Sequence, residues 1–105
     1  MKSRRAILLS ISKSKVLTGF EKDVYRAIAK IPRGEVRSYG WVAGQIGRPG
    51  AYRAVGSALN KNPYPVIIPC HRVVRSDGSL GGFARGPAAK RKLLEREGSA
   101  SPFYR

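Results

Sequence analysis

The sequence predicts one small, mostly α-helical domain with a short β wing, built as a winged helix-turn-helix. Three observations support this class. Apolar residues recur at helical spacing behind good capping residues, Pro and Gly clusters separate these stretches, and an Asp-Gly pair at residues 77–78 is typical of a tight reversal. At 105 residues the chain is long enough for one modest core and too short for two.

Four helices are expected, each with a start or stop signal. Thr18 and Glu21 have the spacing of a capping box, and Ser38 suits the N-cap of a second helix. Pro87 favours the first turn of the last helix, and Gly98 its end. The predicted helices span residues 19–30, 39–46, 51–60 and 87–97.

The second and third helices are joined by the breakers at residues 47–50, which is the outline of a helix-turn-helix. In the general form of that motif the second helix enters the major groove of DNA. Antiparallel helix pairs without DNA are also common, so that alternative stays open. Residues 73–83 are predicted to form the wing as a small hairpin.

The ordered domain is expected over residues 18–98, between two less structured ends. Residues 1–17 are interpreted as a basic lead-in, flexible or with one short strand, and residues 99–105 as a loose tail. The apolar patch at residues 6–11 is too short for a signal peptide or a membrane span. A single cysteine excludes an internal disulfide. We therefore expect an intracellular location, cytoplasmic or nucleoid-associated.

The charge balance points to a polyanionic partner. Lys and Arg number 21 against 6 Asp and Glu, which gives a net charge of +15. A domain this basic is expected to bind nucleic acid, although a generally basic surface is the plainer alternative. Neither a CxxC pair nor a Cys/His cluster is present, so no metal site and no cofactor are expected.

The only cysteine and the only histidine are neighbours, Cys70 and His71, directly after Pro69. A free cysteine is most often a small buried hydrophobe. A thiol with a pKa of about 8.5 is mostly protonated near neutral pH, so a nucleophilic role requires a base or a cation nearby. Such a base needs an acid to orient its ring, and six are available: Glu21, Asp23, Glu35, Asp77, Glu95 and Glu97.

Four segments in order resemble the C-terminal, active-site domain of the O6-alkylguanine-DNA alkyltransferases, also called methylated-DNA–protein-cysteine methyltransferases. These segments are IPRGEVRSYGWVA, RAVGSALNKNP, NPYPVIIPCHRVV and GSLGGFARGPAAKRKLLEREG. The Pro-Cys-His-Arg tetrapeptide alone is a weak signal. The four linked segments together are specific, and the match as a whole spans about residues 18 to 98.

The resemblance implies a role for each residue of a catalytic group. Cys70 corresponds to the alkyl acceptor and His71 to the base that ionises it through a bridging water. Glu97 corresponds to the carboxylate that orients the imidazole, and Asn62 to the asparagine that braces the turn before the active-site segment. On this basis the sulfur is expected to be ionised beside a groove that holds an everted purine.

The resemblance also implies a DNA-binding face and a base pocket. Tyr39 corresponds to the tyrosine that pushes the phosphate, and Arg53 to the arginine that fills the stack after the base has flipped. Arg72 is assigned either to DNA contact or to holding local structure together. The recognition helix is the one predicted over residues 51–60, and the resemblance places it in the minor groove instead of the major groove. Its small residues on the groove side are Ala54, Gly56, Ser57 and Ala58. The pocket residues are Val73, Gly81, Gly82 and Phe83.

The implied function is irreversible transfer of an alkyl group from O6-alkylguanine in double-stranded DNA to Cys70. One molecule repairs one lesion, as a monomer, with cooperative binding along DNA left open. Phe83 stands where many relatives have a tyrosine, and Arg85 where a glycine is frequent. The usual N-terminal domain of the family has no counterpart here, which leaves a minimal form and an excised domain as alternatives. The competing functions are a lesion sensor that transfers nothing and a plain winged-helix DNA-binding module.

Overall fold

The computed structural model describes residues 4–63, 68–76, 79–81, 83 and 85–98, and most of these lie in helices. In chain order the elements are α1 (Arg4–Lys13), α2 (Gly19–Ile28), β1 (Arg37–Ser38), α3 (Tyr39–Gln45), α4 (Tyr52–Asn60), a 3₁₀ turn (Cys70–Arg72), β2 (Val73–Val74) and α5 (Pro87–Arg96). The mostly α fold with a small β element is confirmed, and the four predicted helices agree with α2 to α5 to within two residues at each end.

Helix α2 begins and packs as its sequence predicts. The Thr18 hydroxyl accepts from the Glu21 N–H at 3.0 Å, and the Glu21 carboxylate accepts from the Thr18 N–H at 3.0 Å, which completes the capping box. Val24 and Ile28 face the core. The buried Tyr25 hydroxyl donates to the Ala58 carbonyl at 2.7 Å and so joins α2 to α4. Because a buried polar group without a partner is unfavourable, this bond fixes how the two helices pack.

Helices α3 and α4 form the helix-turn-helix. The Ser38 hydroxyl caps α3 by accepting from the Trp41 N–H at 3.0 Å. The turn that follows contains Gly47 and Gly50 with φ of 73° and 93°, a region that favours glycine. On α4 the buried residues are Val55, Ala58 and Leu59, so Ala58 faces the core and not the groove that the resemblance implied. The opposite face of α4 is therefore left toward solvent.

The N-terminal segment contains a helix where the sequence analysis allowed one short strand, so that strand prediction is wrong. Ile7 and Ile11 of α1 are four residues apart and both are buried in the core cluster that includes α2. Residues at this spacing lie on the same face of a helix. The two isoleucines thus explain why these residues form a helix that packs on α2.

The sheet differs from the predicted wing. β1 pairs in parallel with β2, with Arg37 opposite Val73 and Ser38 opposite Val74. In the described part of the chain, β2 therefore pairs with β1 and not with a second strand from the predicted hairpin over residues 73–83. The Arg75 N–H donates to the Ser79 carbonyl at 2.9 Å, which closes a turn after β2. β2 thus pairs with a strand far earlier in the chain, and the Asp77-Gly78 pair of the predicted hairpin lies outside the described residues.

Some sequence predictions fall outside the described residues. They concern the Asp77-Gly78 pair, Gly82 and the tail. Helix α5 matches its signals, because Pro87 is its first residue and Gly98 follows it with φ of 77°. Across the ranges that the structure describes, no helix is both long enough and apolar enough to span a bilayer.

Candidate active site

The site is centred on Cys70, the first residue of the 3₁₀ turn that follows Pro69. Cys70 is 3% exposed. Asn62, two residues beyond α4, donates its side-chain N–H groups to Cys70 Sγ at 2.8 Å and to the Ile68 carbonyl at 2.8 Å. One amide thus holds the backbone before the turn and the sulfur itself.

The ionisation state expected for the sulfur is wrong for this structure. Burial raises the pKa of the Cys70 thiol to about 12, while the Asn62 hydrogen bond and the Lys90 charge lower it by less. Because the charged form of a thiol is disfavoured away from water, Cys70 is protonated at neutral pH. The sequence could not reveal this, since burial depends on the whole fold.

His71 is fully buried next to the sulfur-bearing residue. Its Nε2 lies 3.0 Å from Glu97 Oε2, although the alignment is poorer than that of a good hydrogen bond. Nδ1 has no hydrogen-bond partner among the described residues. Burial lowers the pKa of His71, and the nearby Glu97 carboxylate opposes that shift. The ring is therefore neutral near pH 7, oriented by Glu97 on one side and able to accept a proton on the other.

Glu97 lies at the end of α5, where Arg72 holds it in a bidentate ion pair. Arg72 Nε and Nη2 donate to the two carboxylate oxygens at 2.9 and 2.7 Å, and Nη1 donates to the Ile31 carbonyl at 2.8 Å. Burial raises the pKa of Glu97, but the Arg72 hydrogen bonds and the nearby His71 ring outweigh it and lower the pKa to about 2. The carboxylate is consequently charged throughout the physiological range.

The assignment of Arg72 to DNA contact is corrected by this geometry. Its side chain is only 15% exposed, and its guanidinium already serves Glu97 and the Ile31 carbonyl. A phosphate would have to displace a bidentate carboxylate, which is among the stronger pairings an arginine makes. Arg72 therefore holds the 3₁₀ turn to the ends of α2 and α5, the structural alternative of the sequence analysis.

Lys90 is a site residue that the sequence analysis missed. It is fully buried on α5, and its ammonium donates to the Val73 carbonyl at 2.6 Å and to the Leu80 carbonyl. Burial lowers the pKa of Lys90 to about 8, which the neighbouring Cys70 partly offsets. A signal was available, because Lys90 stands four residues before Leu94 and therefore on the same inward face of α5.

Tyr39, at the start of α3, lies between the loop after β2 and helix α4. A β-carbon built on Gly81 would lie 2.5 Å from the Tyr39 hydroxyl, and one built on Gly56 would lie 3.9 Å from its ring. The Lys90 ammonium lies 5.8 Å from the centre of the same ring. Tyr39 thus touches the loop after β2 on one side and the recognition helix on the other.

Helix α4, the expected recognition helix, presents small and basic side chains to solvent. Gly56 is half-buried beneath Tyr39, and the exposed residues of this face are Arg53, Ala54 and Ser57. None of these reaches Cys70 in the described contacts, so the structure separates a surface group on α4 from the buried group around the sulfur. Tyr39 lies between the two.

The predicted base pocket is described only in part. Val73 is buried in β2, and Phe83 is half-buried against the core cluster that contains Cys70. Glycine is required at position 81 because a side chain there would collide with Tyr39. The resemblance had instead placed Gly81 in the base pocket. Arg85 is exposed. No group of three or more His, Cys, Asp or Glu side chains that could hold a metal ion occurs in the described part of the chain.

Comparison with known proteins gives a consistent set of relatives. Residues 19–99 match the family described as 6-O-methylguanine DNA methyltransferase, DNA binding domain. A methylated-DNA–protein-cysteine methyltransferase from Methanosarcina barkeri is 54% identical over 80 residues, which cover 76% of this chain and 51% of the relative. The chain spans about half the length of the curated relatives it matches.

Two solved structures, both with DNA, extend the likeness. The crystal structure of Mycobacterium tuberculosis OGT in complex with DNA has a TM-score of 0.77 and 48% identity, covering 82% of this chain and 55% of that one. The crystal structure of S. pombe Atl1 in complex with damaged DNA containing O6-carboxymethylguanine has a TM-score of 0.68 and 35% identity, covering 75% of each chain.

Proposed function

The chain belongs to the family of 6-O-methylguanine DNA methyltransferase DNA-binding domains, and from that membership we propose that it repairs O6-alkylguanine in duplex DNA. The alkyl group passes irreversibly to Cys70, so each monomer acts on one lesion and is consumed. The observation that carries this proposal is the arrangement of Cys70, whose sulfur is held by Asn62 at 2.8 Å and followed by a buried His71 paired with Glu97.

The transfer balances in one displacement. The sulfur's electron pair forms a bond to the alkyl carbon while the bond from that carbon to guanine O6 breaks. The electrons of the broken bond stay on the guanine. The proton lost by the thiol balances the proton gained by the guanine, and the products are an unmodified base and a thioether. Because a thioether has no easy leaving group, Cys70 is not regenerated.

The residues around Cys70 supply what a protonated thiol needs. Burial keeps the pKa of Cys70 near 12, so the proton must leave as the reaction proceeds. His71 is neutral and its Nδ1 has no partner among the described residues, which suits a base acting through one bridging water. Glu97 stabilises the imidazolium that forms. The Asn62 donor and the positive charge of Lys90 favour the thiolate.

Access to the alkyl carbon requires base flipping, and α4 carries the means for it. A carbon on guanine O6 is out of reach inside a stacked duplex. Arg53 is exposed on α4 and can fill the gap left by an everted nucleotide. Tyr39 borders α4 at Gly56 and can push the phosphate of that nucleotide. The small exposed side chains allow the helix to enter a minor groove. The net charge of +15 favours the phosphate backbone on both sides.

The everted base would lie between the loop after β2 and the sulfur. Gly81 borders this space from the Tyr39 side, and Phe83 provides an apolar wall next to the core. Phe83 has no hydroxyl, so a hydrogen bond to the leaving guanine must come from a backbone N–H or from another side chain. We assign Val73 and Gly82 to the same pocket from the resemblance.

A second candidate function is lesion sensing without transfer. It is favoured by the burial of Cys70 and by the likeness to Atl1, whose structure contains O6-carboxymethylguanine DNA and which this chain matches over 75% of that protein's length. In this case the same face of α4 would bind and flip the base, and the sulfur would only line the pocket.

One experiment separates the two functions. The protein is incubated with a duplex that carries one O6-methylguanine, and the intact protein is weighed by mass spectrometry. Transfer predicts a gain of one methylene on Cys70, at most once per molecule. The matched variant Cys70→Ala should bind the duplex equally well and gain nothing. Tight lesion binding with unchanged mass in the wild type would favour the sensor and overturn the transfer proposal.

A further inference from the structure

Three large apolar side chains are exposed among the described residues, and one of them lies on the recognition helix. Leu9 on α1 is 54% exposed, Val16 lies in the connection after α1, and Tyr52, the first residue of α4, is 51% exposed. An isolated exposed apolar residue needs no explanation. Tyr52 differs from the other two because it precedes Arg53 directly, on the helix proposed to enter DNA.

The position of Tyr52 on α4 places it on the Tyr39 side of the helix. Residues four apart lie on one face, separated by about one turn of 5.4 Å. Gly56 is four residues after Tyr52, and it is the residue of α4 that approaches the Tyr39 ring. Tyr52 therefore lies one turn N-terminal to the point where Tyr39 meets α4, with Arg53 about 100° around the helix.

We propose that Tyr52 is a further DNA-contacting residue, which packs its ring against the lesion strand in the minor groove beside the everted nucleotide. This inference rests on the proposed function. Tyr39 and Arg53 then act at the lesion itself, and Tyr52, directly before Arg53 and one turn from the Gly56 contact with Tyr39, contacts the flanking nucleotide. Successive nucleotides are about 3.4 Å apart along a strand, so one helical turn covers one to two of them.

The chemistry of the side chain suits this occupant. Side chains on a helix lean toward its N-terminus, so the ring of the first residue of α4 projects past the end of the helix. An aromatic ring can stack on a base or sugar that has lost its neighbour, and such contacts are tolerant of sequence. The charge of +15 draws a polyanion to this surface, whereas it opposes the approach of a second copy of the chain.

The contribution of Tyr52 is to stabilise the flipped state. Eversion of the target base leaves the flanking nucleotide partly unstacked, which is unfavourable by a few kcal/mol. The Arg53 guanidinium replaces one neighbour of that nucleotide. A ring that covers the minor-groove side of the same nucleotide buries sugar and base-edge surface, which offsets part of that cost only when DNA is present.

The test compares transfer from duplex DNA with a reaction of Cys70 that needs no DNA. Single-turnover methyl transfer from an O6-methylguanine duplex and alkylation of Cys70 by iodoacetamide are measured for wild type, Tyr52→Ala, Tyr52→Phe and the exposed control Leu9→Ala. We expect Tyr52→Ala to slow duplex transfer about tenfold, by the usual worth of one stacked ring. The Phe variant and Leu9→Ala should match the wild type, and iodoacetamide alkylation should be unchanged in all four.

Several outcomes would overturn the proposal. Wild-type transfer rates in Tyr52→Ala would exclude a DNA contact. An equal loss in Tyr52→Phe would assign the effect to the hydroxyl, and a parallel loss of iodoacetamide alkylation would indicate a structural role. If the wild type transfers no methyl group, the proposed function fails separately. The affinity for a duplex with an abasic site then decides about Tyr52, since its loss in Tyr52→Ala supports the contact and its retention rejects it.

Discussion

Gly81 approaches Tyr39 so closely that a β-carbon at position 81 would lie 2.5 Å from the tyrosine hydroxyl and 2.8 Å from a ring carbon. The backbone of Gly81 also has φ of 73°, which side-chain-bearing residues rarely adopt. The loop after β2 and the start of α3 are thus fitted to one another by the absence of a single side chain. Tyr39 in turn borders α4, so the contact joins the loop near the sulfur to the proposed DNA-binding helix.

We predict that Gly81→Ala destabilises the fold and slows methyl transfer more than Gly86→Ala does. Gly86 has φ of 91° but open space around the position of a β-carbon, so both variants carry backbone strain and only one adds a steric clash. Overpacking of this kind typically costs 1–3 kcal/mol. Urea unfolding and single-turnover transfer are measured for both. Equal losses would mean that backbone strain alone accounts for glycine at position 81.

Asn62 supplies the second prediction, because its amide is a donor to the sulfur. Asn62→Ala should raise the pKa of Cys70 above its present value and slow alkylation by iodoacetamide at fixed pH about tenfold, in line with a hydrogen bond to a charged group. Asn60→Ala, at an exposed position of α4, is the matched control. The pH profile of the alkylation rate gives the result, and an unshifted profile in Asn62→Ala would contradict it.

Lys90 allows a prediction about pH. Its pKa is lowered by burial to about 8 from an ordinary value of 10.5, so between these values the unfolded chain binds more protons than the folded one. The free energy of unfolding must then rise with pH in that window, until Cys70, whose ordinary pKa is 9.0, begins to act in the opposite direction. We expect wild-type stability to increase between pH 8 and 9.

The matched variants for this prediction are Lys90→Met and the exposed Lys92→Met. Lys90→Met should abolish the rise between pH 8 and 9, whereas Lys92→Met should keep it. Lys90→Met should also lower stability at pH 7, because the Val73 and Leu80 carbonyls lose their donor, at about 1–3 kcal/mol for each unpaired group. Stability is measured by denaturant unfolding at each pH. If the free energy of unfolding still rises between pH 8 and 9 in Lys90→Met, another group causes the rise.

The sequence predicted well the features that depend on residues close together in the chain, such as helix caps. The Thr18 capping box and the Ser38 cap were predicted correctly because each involves residues three apart in sequence. The pairing of β1 with β2 was not, since it brings Arg37 to Val73 from a distance that no local signal reports. The helix at the N-terminus was missed for a similar reason, because its stability comes from packing on α2.

The site divides in the same way. The resemblance pointed to Asn62, His71 and Glu97 around Cys70, and the structure places Asn62 on the Cys70 sulfur and His71 beside Glu97. Their protonation was not predictable, because the pKa of a thiol depends on how far the fold removes it from water. Lys90 was overlooked because a lysine is ordinarily assigned to the surface, and only its spacing from Leu94 on α5 indicated otherwise.

Glu97 carries the last prediction, which concerns acid stability. The Arg72 hydrogen bonds and the nearby His71 ring outweigh burial and lower the pKa of Glu97 to about 2 from an ordinary value of 4.5. A carboxyl group with a depressed pKa stabilises the fold fully above its unfolded value and loses that effect as the pH falls toward its folded value. The free energy of unfolding should therefore decrease between pH 4.5 and 2, as measured by urea titrations at successive pH values.

Glu97→Gln and the exposed Glu95→Gln separate this ion pair from general surface charge. Glu97→Gln leaves the largely buried Arg72 without its anion, which should lower stability at pH 7 by about 3 kcal/mol and flatten the decrease below pH 4.5. Glu95→Gln should do neither. Because Glu97 also orients His71, methyl transfer should slow in Glu97→Gln even at temperatures where the protein remains folded. Normal transfer by a folded Glu97→Gln protein would limit Glu97 to holding Arg72 and remove it from the proposed proton route.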